Sequence, residues 1–354
     1  MPRALRFLAG PEAMARIRRD GVSDGMFDVV AGASGGPKWL SLTRLDRVIF
    51  SRWFRDRTRP LHLVGSSIGT WRFACVAQAD PVAAIRRFEE TYLRYEVHPP
   101  VTRTRLSQDS RELLDAVLGE TGAEEVLSHR CMRLSVLAVR GRGLTGHRHP
   151  VFMGAGMAAA ALANAVTRRS LPLFFERTLV HDQRSEAPFD CRLGFPTQPV
   201  PLTPRNLAPA LMASGAVPFL FETVAEIEGG RPGLYMDGGI MDYHLDIPFK
   251  GDGLVLYPHF YDRIVPGWFD KFMRWRRPDP RNLSRTLLIC PSREFVAKLP
   301  GGKVPDRGDF KRIPNPDRLR IWKAVVAETD RLAEEFADAL DRGDLADRLE
   351  PLAA

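Results

Sequence analysis

The stretch LHLVGSSIGTWRFACVAQ, residues 61–78, begins as an apolar run, turns through glycines and serines, and continues at helical spacing. LHLVG (61–65) reads as a short buried strand and IGTWRFACVAQ (68–78) as a helix. The turn between them fits G-x-S-x-G with Gly65, Ser67 and Gly69, so Ser67 is the central serine and Ser66 the variable residue. A serine between strand and helix sits on a sharp turn, and small flanking residues let that turn close without a clash. The helix start beneath it favours negative charge developing nearby.

The same rhythm occurs just upstream. MFDVVAGASGG (26–36) is an apolar run ending in a glycine-rich loop, and PKWLSLTRLDRVIF (37–50) has helical spacing with Pro37 in the first turn. Strand, tight turn and helix, twice over, predict an α/β fold with a parallel sheet flanked by helices. Asp80 and Pro81 open a further helix with Ile85, Phe88 and Tyr92 on one face, and 108–128 is helical in pattern. RLSVLAVRG (133–141) alternates like a strand, and GAGMAAAALANAV (154–166) reads as a small-residue helix. LFFERTLVH (173–181), GLVLYP (253–258) and RTLLICP (285–291) are further strand candidates. Asn315-Pro316 starts one last helix, with Trp322, Val325, Val326, Leu332, Phe336 and Leu340 on one face and Gly343 at its end. The rest of 259–312, rich in proline, glycine, aromatics and arginine, reads as irregular loops.

Composition narrows the function classes. The 354 residues are 44% hydrophobic and 27% charged, ordinary for a globular protein, and no apolar run is long enough to span a bilayer. The first twenty residues lack the pattern of a secretory signal. Cys75, Cys131, Cys191 and Cys290 form no CxxC pair, which predicts reduced thiols in a cytoplasmic protein rather than a disulfide or zinc framework. The net charge is +8, carried mostly by arginines scattered along the chain. That scatter reads as composition bias or as attraction to anionic surfaces; with no nucleic-acid module beside it, no nucleic-acid partner is expected. His147 and His149 in GHRHP form an H-x-H pair, but no third ligand has a place, so the pair reads as polar loop and no metal is expected.

A serine nucleophile needs a base. An ordinary hydrolase triad would put a histidine late in the chain, yet none follows His259, and His244 in MDYHLDIPF has no recognisable catalytic context. The better partner is Asp237 in GLYMDGGIMDYH (233–244). A carboxylate directly before Gly238 and Gly239 can approach another backbone closely, and burial would raise its pKa toward that of a base. Taken alone, D-G-G is also a common turn. The loop GASGGPKW (32–39) offers backbone N–H groups to an anion or oxyanion, and matches neither of the usual nucleotide-phosphate patterns.

In this order, a Gly-Gly-x-Lys loop, then GxSxG, then DGG, the chain resembles the patatin-like phospholipase family over about residues 25–260. The resemblance implies a three-layer fold with a parallel sheet and helices on both faces. It also implies that Ser67 is the nucleophile, that Asp237 completes a Ser–Asp dyad without histidine, and that Gly35 and Gly36 form the oxyanion hole. Lys38 matches the family's basic residue, and either orients the oxyanion loop, meets a phosphate, or is a surface lysine at a helix start. Ser34 and Trp39 stand where many members have glycine. ASGAVPFLF (213–221) and GDGLVLYP (251–258) resemble the segments flanking the family's aspartate.

The expected organisation is a catalytic domain over 1–260 and an extension, 261–354, packed on it and ending in an amphipathic helix. The expected activity is hydrolysis of a lipid acyl ester through an acyl-enzyme, with no cofactor. Acyl transfer on the same dyad and a non-catalytic lipid-binding module are the alternatives. VPGWFDKFMRWRRP (264–277) mixes aromatic and basic residues. It is either a core-packing loop with a basic rim or an interfacial patch that enters the headgroup layer. The second reading would place the protein peripherally on the inner membrane surface.

Overall fold

Ten strands form one mixed sheet in the computed structural model, which describes residues 3–353. They are β1 (Leu5–Ala9), β2 (Phe27–Gly32), β3 (Leu61–Ser66), β4 (Met132–Gly141), β5 (Phe175–His181), β6 (Thr197–Pro201), β7 (Tyr235–Asp237), β8 (Leu254–Pro258), β9 (Thr286–Pro291) and β10 (Leu349–Pro351). Their order is β10-β1-β9-β8-β2-β3-β4-β5-β6, with β7 paired to β4. The centre, β9-β8-β2-β3-β4, is parallel throughout. Its strands are almost entirely apolar, as expected where helices cover both faces of a sheet. Orientation reverses at β1 against β9 and at β5 against β4, so the sheet is mostly, not wholly, parallel.

The longer helices are α1 (Pro11–Asp20), α2 (Ile68–Val76), α3 (Pro81–Arg94), α4 (Arg103–Leu118), α5 (Pro150–Val166), α6 (Pro204–Gly215), α7 (Asn315–Glu328) and α8 (Asp330–Asp341). Local chemistry sets their starts. The Asp80 carboxylate accepts from the Ala83 amide ahead of Pro81, and Thr203 and Asn206 make a reciprocal capping box for α6. The expected helix over 37–50 is not one α-helix: Gly36–Leu42 is 3₁₀, Thr43–Val48 is α, and Ile49–Trp53 is a π turn. The 3₁₀ winding carries the Trp39 indole inward, where it stacks on Phe88 with ring centroids 4.0 Å apart.

Residues 108–128 divide into α4 and a shorter helix, Gly122–Ser128, because Gly119 adopts φ +59° after α4. The last predicted helix breaks at Thr329, whose hydroxyl bonds back to the Val326 carbonyl at 2.7 Å. The break lets both α7 and α8 turn apolar faces inward, through Trp322 and Val325 on one and Leu332 and Phe336 on the other. Four short strands, β1, β6, β7 and β10, escape a reading by periodicity, since three to five residues carry too little pattern. All four cysteines are free thiols.

Candidate active site

The register of β4 brings two distant turns together. On one edge of β4, β3 runs parallel and ends with Ser66 opposite Leu137. On the same edge β7 arrives antiparallel, and its last residue, Asp237, lies opposite Ala138, the next position along. Two strands therefore meet end to end on one template, and the residues at the junction are Ser67 and Asp237. Their side chains touch: Ser67 Oγ donates to Asp237 Oδ2 at 2.8 Å.

The glycines of both motifs permit this meeting. A Cβ on Gly238 would lie 2.2 Å from the Leu137 carbonyl oxygen, and one on Gly69 would lie 2.3 Å from that of Gly32. Gly65 backs onto Gly69 and Thr70, and Gly239 onto the Ser34 side chain. Ser67 has φ +55° and ψ −130°, a conformation an L-residue rarely adopts. The turn is held from below: the Ser67 amide donates to Ser214 Oγ at 2.8 Å, and that hydroxyl donates to the Leu137 carbonyl at 2.6 Å. Ser214 belongs to the 213–221 segment.

Asp237 is buried, and burial raises its pKa above the ordinary 3.8; the nearby Arg307 guanidinium, the Ser67 hydroxyl and the Gly239 amide act in the opposite direction. Gly239 N–H donates to Asp237 Oδ1 at 2.7 Å, so one carboxylate oxygen is fixed while the other faces Ser67. Beyond the aspartate, Arg177 on β5 grips the Asp242 carboxylate with two hydrogen bonds of 2.7 and 2.5 Å. That bidentate pair holds the segment that follows the D-G-G turn.

The 32–39 loop closes the other side. Ser34 Oγ donates to Ser66 Oγ at 3.0 Å, and Ser34 N–H donates to the Tyr243 carbonyl at 2.9 Å, tying the loop to both motifs. Ser34 thus supplies a link between the loop and the serine turn. Gly35 packs against the Phe260 ring, where a Cβ would come within 2.6 Å. Gly36 has φ +56°, which favours glycine, and the Arg307 side chain lies against it. Both amides open the 3₁₀ helix, where backbone N–H groups lack intrahelical acceptors.

Ser34, Gly35, Ser67 and Asp237 line a cleft of about 170 Å³ together with Lys38, Tyr243, Trp268, Lys271 and Arg307, and Gly36 lies just behind this wall. Lys271 lies in the 264–277 segment, which the sequence marks only as a basic and aromatic surface patch, and nothing local in the sequence marks Arg307. Arg307 Nη2 lies 3.9 Å from Asp237 Oδ2, and Lys271 Nζ sits 4.2 Å above the Tyr243 ring.

The histidines are occupied elsewhere. His244 is buried against His259 and Phe260, its Nδ1 accepts from the Val265 amide at 3.0 Å, and desolvation lowers its pKa well below the usual value. His147 and His149 fold around Phe152 at the start of α5, where His149 caps the helix by accepting from the Val151 amide. No group of three potential metal ligands occurs among the described residues.

A family model described as "Patatin-like phospholipase" matches residues 48–245, more than half of the chain. That span includes the serine turn, β4 and the D-G-G turn. No curated protein and no solved structure matches.

Proposed function

Because the chain belongs to the patatin-like phospholipase family, a family of lipid acyl hydrolases, we propose that it hydrolyses a lipid carboxylic ester with Ser67 as nucleophile and Asp237 as its base. The observation that carries this reading is the 2.8 Å hydrogen bond from Ser67 Oγ to a buried carboxylate oxygen. The distance is within the range for direct proton transfer.

In the proposed reaction, Asp237 removes the hydroxyl proton as Ser67 Oγ attacks the ester carbonyl carbon. The carbonyl electron pair moves onto oxygen, and the Gly35 and Gly36 amides receive that oxyanion, each donor worth roughly 3–4 kcal/mol in comparable sites. The tetrahedral species collapses, the ester C–O bond breaks, and the alcohol leaves with the proton from Asp237. Water then attacks the acyl-enzyme, gives its proton to Asp237, and the fatty acid departs as the serine is restored. The start of α2 beneath Ser67 adds a favourable field for the developing negative charge.

The test is labelling by a fluorophosphonate probe, with peptide mapping. Label is expected on Ser67, absent in Ser67→Ala and reduced at least tenfold in rate in Asp237→Asn. Unlabelled but folded wild-type protein, in the presence and absence of lipid vesicles, would sink the dyad.

The same reading gives 264–277 a role at a lipid surface. Ile264 is buried and Phe269 packs toward Phe175, so part of the segment serves the core. Phe272 and Trp275 instead stand out, 91% and 70% exposed, next to exposed Arg274 and Arg277. Asp270 pins the segment to Asn164 of α5 at 2.8 Å and to Arg168 just after it at 2.5 Å. Trp268 lies at the cleft itself. Aromatic side chains flanked by arginines on a rigid base are suited to the headgroup layer of an anionic bilayer. No helix among the described residues is long and apolar enough to cross a membrane.

A further inference from the structure

The cleft beside Ser67 holds more positive charge than its carboxylates offset. Its wall contains Lys38, Lys271 and Arg307 against Asp237 and Asp306. Asp306 is engaged by Lys303 Nζ at 2.7 Å, which it shares with Asp309, and by the Gly308 amide at 2.6 Å, and it acts on Lys38 from farther away. Asp237 faces Arg307 at 3.9 Å. Among the described residues neither Lys38 nor Lys271 has a carboxylate within 4 Å or a side-chain hydrogen bond, and the carboxylates that act on them, Asp306 and Asp309 on Lys38 and Asp237 on Lys271, do so from farther away. Their ammonium groups rest only on aromatic faces: Lys271 over Tyr243 at 4.2 Å and Trp268 at 5.9 Å, Lys38 over Phe260 and Tyr261 at 5.9 Å each.

Holding these cations together is unfavourable. Burial, and then Arg307 and Lys38, push the Lys271 ammonium down to about 8, and burial likewise lowers Lys38. Lysines retained for solubility extend to open water, where an ammonium is fully hydrated. These two are half-buried and turned into the cleft that holds the candidate nucleophile. Three cations against two carboxylates leave the cleft wall net positive, a charge that an anionic ligand would neutralise. A phosphate monoester carries close to two negative charges near neutral pH. A choline headgroup would bring its own cation to a site whose nearest aromatic faces are already covered by Lys271.

We propose that Lys38 and Lys271, with Arg307 beside them bridging toward Asp237, form a subsite for a terminal phosphate monoester, so that the preferred substrate is an acyl ester of a glycerol phosphate rather than a zwitterionic phospholipid. The proposal rests on the hydrolase reading for the ester, but phosphate binding itself does not depend on turnover. All three cations lie outside residues 48–245, the span that the family model matches.

Two measurements separate the claims. Calorimetry with glycerol 3-phosphate and, in parallel, inorganic phosphate would be run on the full chain and on Lys38→Gln, Lys271→Gln and Arg307→Gln. Circular dichroism would check each fold, and Lys271→Arg would serve as the conservative control. We expect wild type to bind glycerol 3-phosphate, each Gln variant to lose about tenfold in affinity, and Lys271→Arg to recover most of it. The second measurement compares kcat/KM for a 1-acylglycerol 3-phosphate, the uncharged 1-acylglycerol and the matching lysophosphatidylcholine.

The phosphate monoester should lead, and its advantage over the uncharged ester should shrink about tenfold in Lys271→Gln. Equal affinities in wild type and variants, or a preference for the choline lipid, would overturn the proposal. Equal binding of both phosphates with no substrate preference would assign a free-anion site and overturn the headgroup assignment. Binding of glycerol 3-phosphate with no turnover of any ester and no Ser67 labelling would sink the hydrolase reading and leave the phosphate site standing.

Discussion

At the scale of the residue, the proposed chemistry turns on one carboxylate kept basic by burial. Asp237 must be ionised to take a proton, and its pKa lies above 3.8 because desolvation outweighs Arg307 and the hydrogen bonds from Ser67 and Gly239. Activity on an uncharged ester should therefore fall on the acid side along a limb lying above 3.8. Removing the cation that opposes desolvation, in Arg307→Gln, should move that limb to higher pH; a limb that stays in place would show that Arg307 does not act on Asp237. The stability linkage has the matching sign. A carboxyl whose folded pKa is raised favours the folded state fully below its unfolded value, and this contribution is lost as pH rises through the folded value. Ser34 bonds to Ser66 without displacing either partner of the Ser67–Asp237 contact.

At the scale of the element, the site depends on how closely β7 can approach the end of β3 along β4. Gly238 is the point of closest approach, where a methyl group would lie 2.2 Å from the Leu137 carbonyl oxygen and 2.8 Å from Ser66 Oγ. Backbone cannot yield as a side chain can, so Gly238→Ala should push β7 off β4. We expect a loss of about 2–3 kcal/mol in chemical denaturation, as for overpacked cores, together with loss of Ser67 labelling. Unchanged stability and labelling would mean that the junction is slack. The 3₁₀ start at Gly36 is a second such dependence. Trp39 stacks on Phe88 of α3, and this anchors the loop that presents the Gly35 and Gly36 amides.

At the scale of the whole molecule, segments from both ends of the chain complete one cleft. β8 and β9 pair in parallel beside β2, so the chain beyond residue 260 joins the same sheet, and from there it carries Arg307 back to Asp237. Of the exposed aromatics at 268–275, Trp268 lines this cleft, and Phe272 and Trp275 follow it along the chain. Sedimentation with anionic vesicles should weaken at least fivefold in Phe272→Ala/Trp275→Ala, while turnover of a soluble short-chain ester should be unchanged. Equal vesicle binding by the double variant would remove the surface role of this segment. High salt should weaken the remaining interaction, because arginines beside the aromatics supply its electrostatic part.

The sequence by itself determined the parallel centre of the sheet and the three turns of the site. A serine between strand and helix, a carboxylate before paired glycines and a glycine-rich helix start each leave a local fingerprint, since each needs particular residue types at adjacent positions. Only the tertiary structure decided that Ser67 and Asp237 meet, because that depends on two strands sharing one edge of β4 across 170 residues of chain. It alone decided the reversed edges of the sheet, the short strands β1, β6, β7 and β10, and the divided helices. There, pairing with distant backbone or packing against a distant core outweighs local propensity. It alone placed Lys271 and Arg307 beside Lys38. Charges converge through space, and a lysine or an arginine in a loop carries no sign of the cleft it will face.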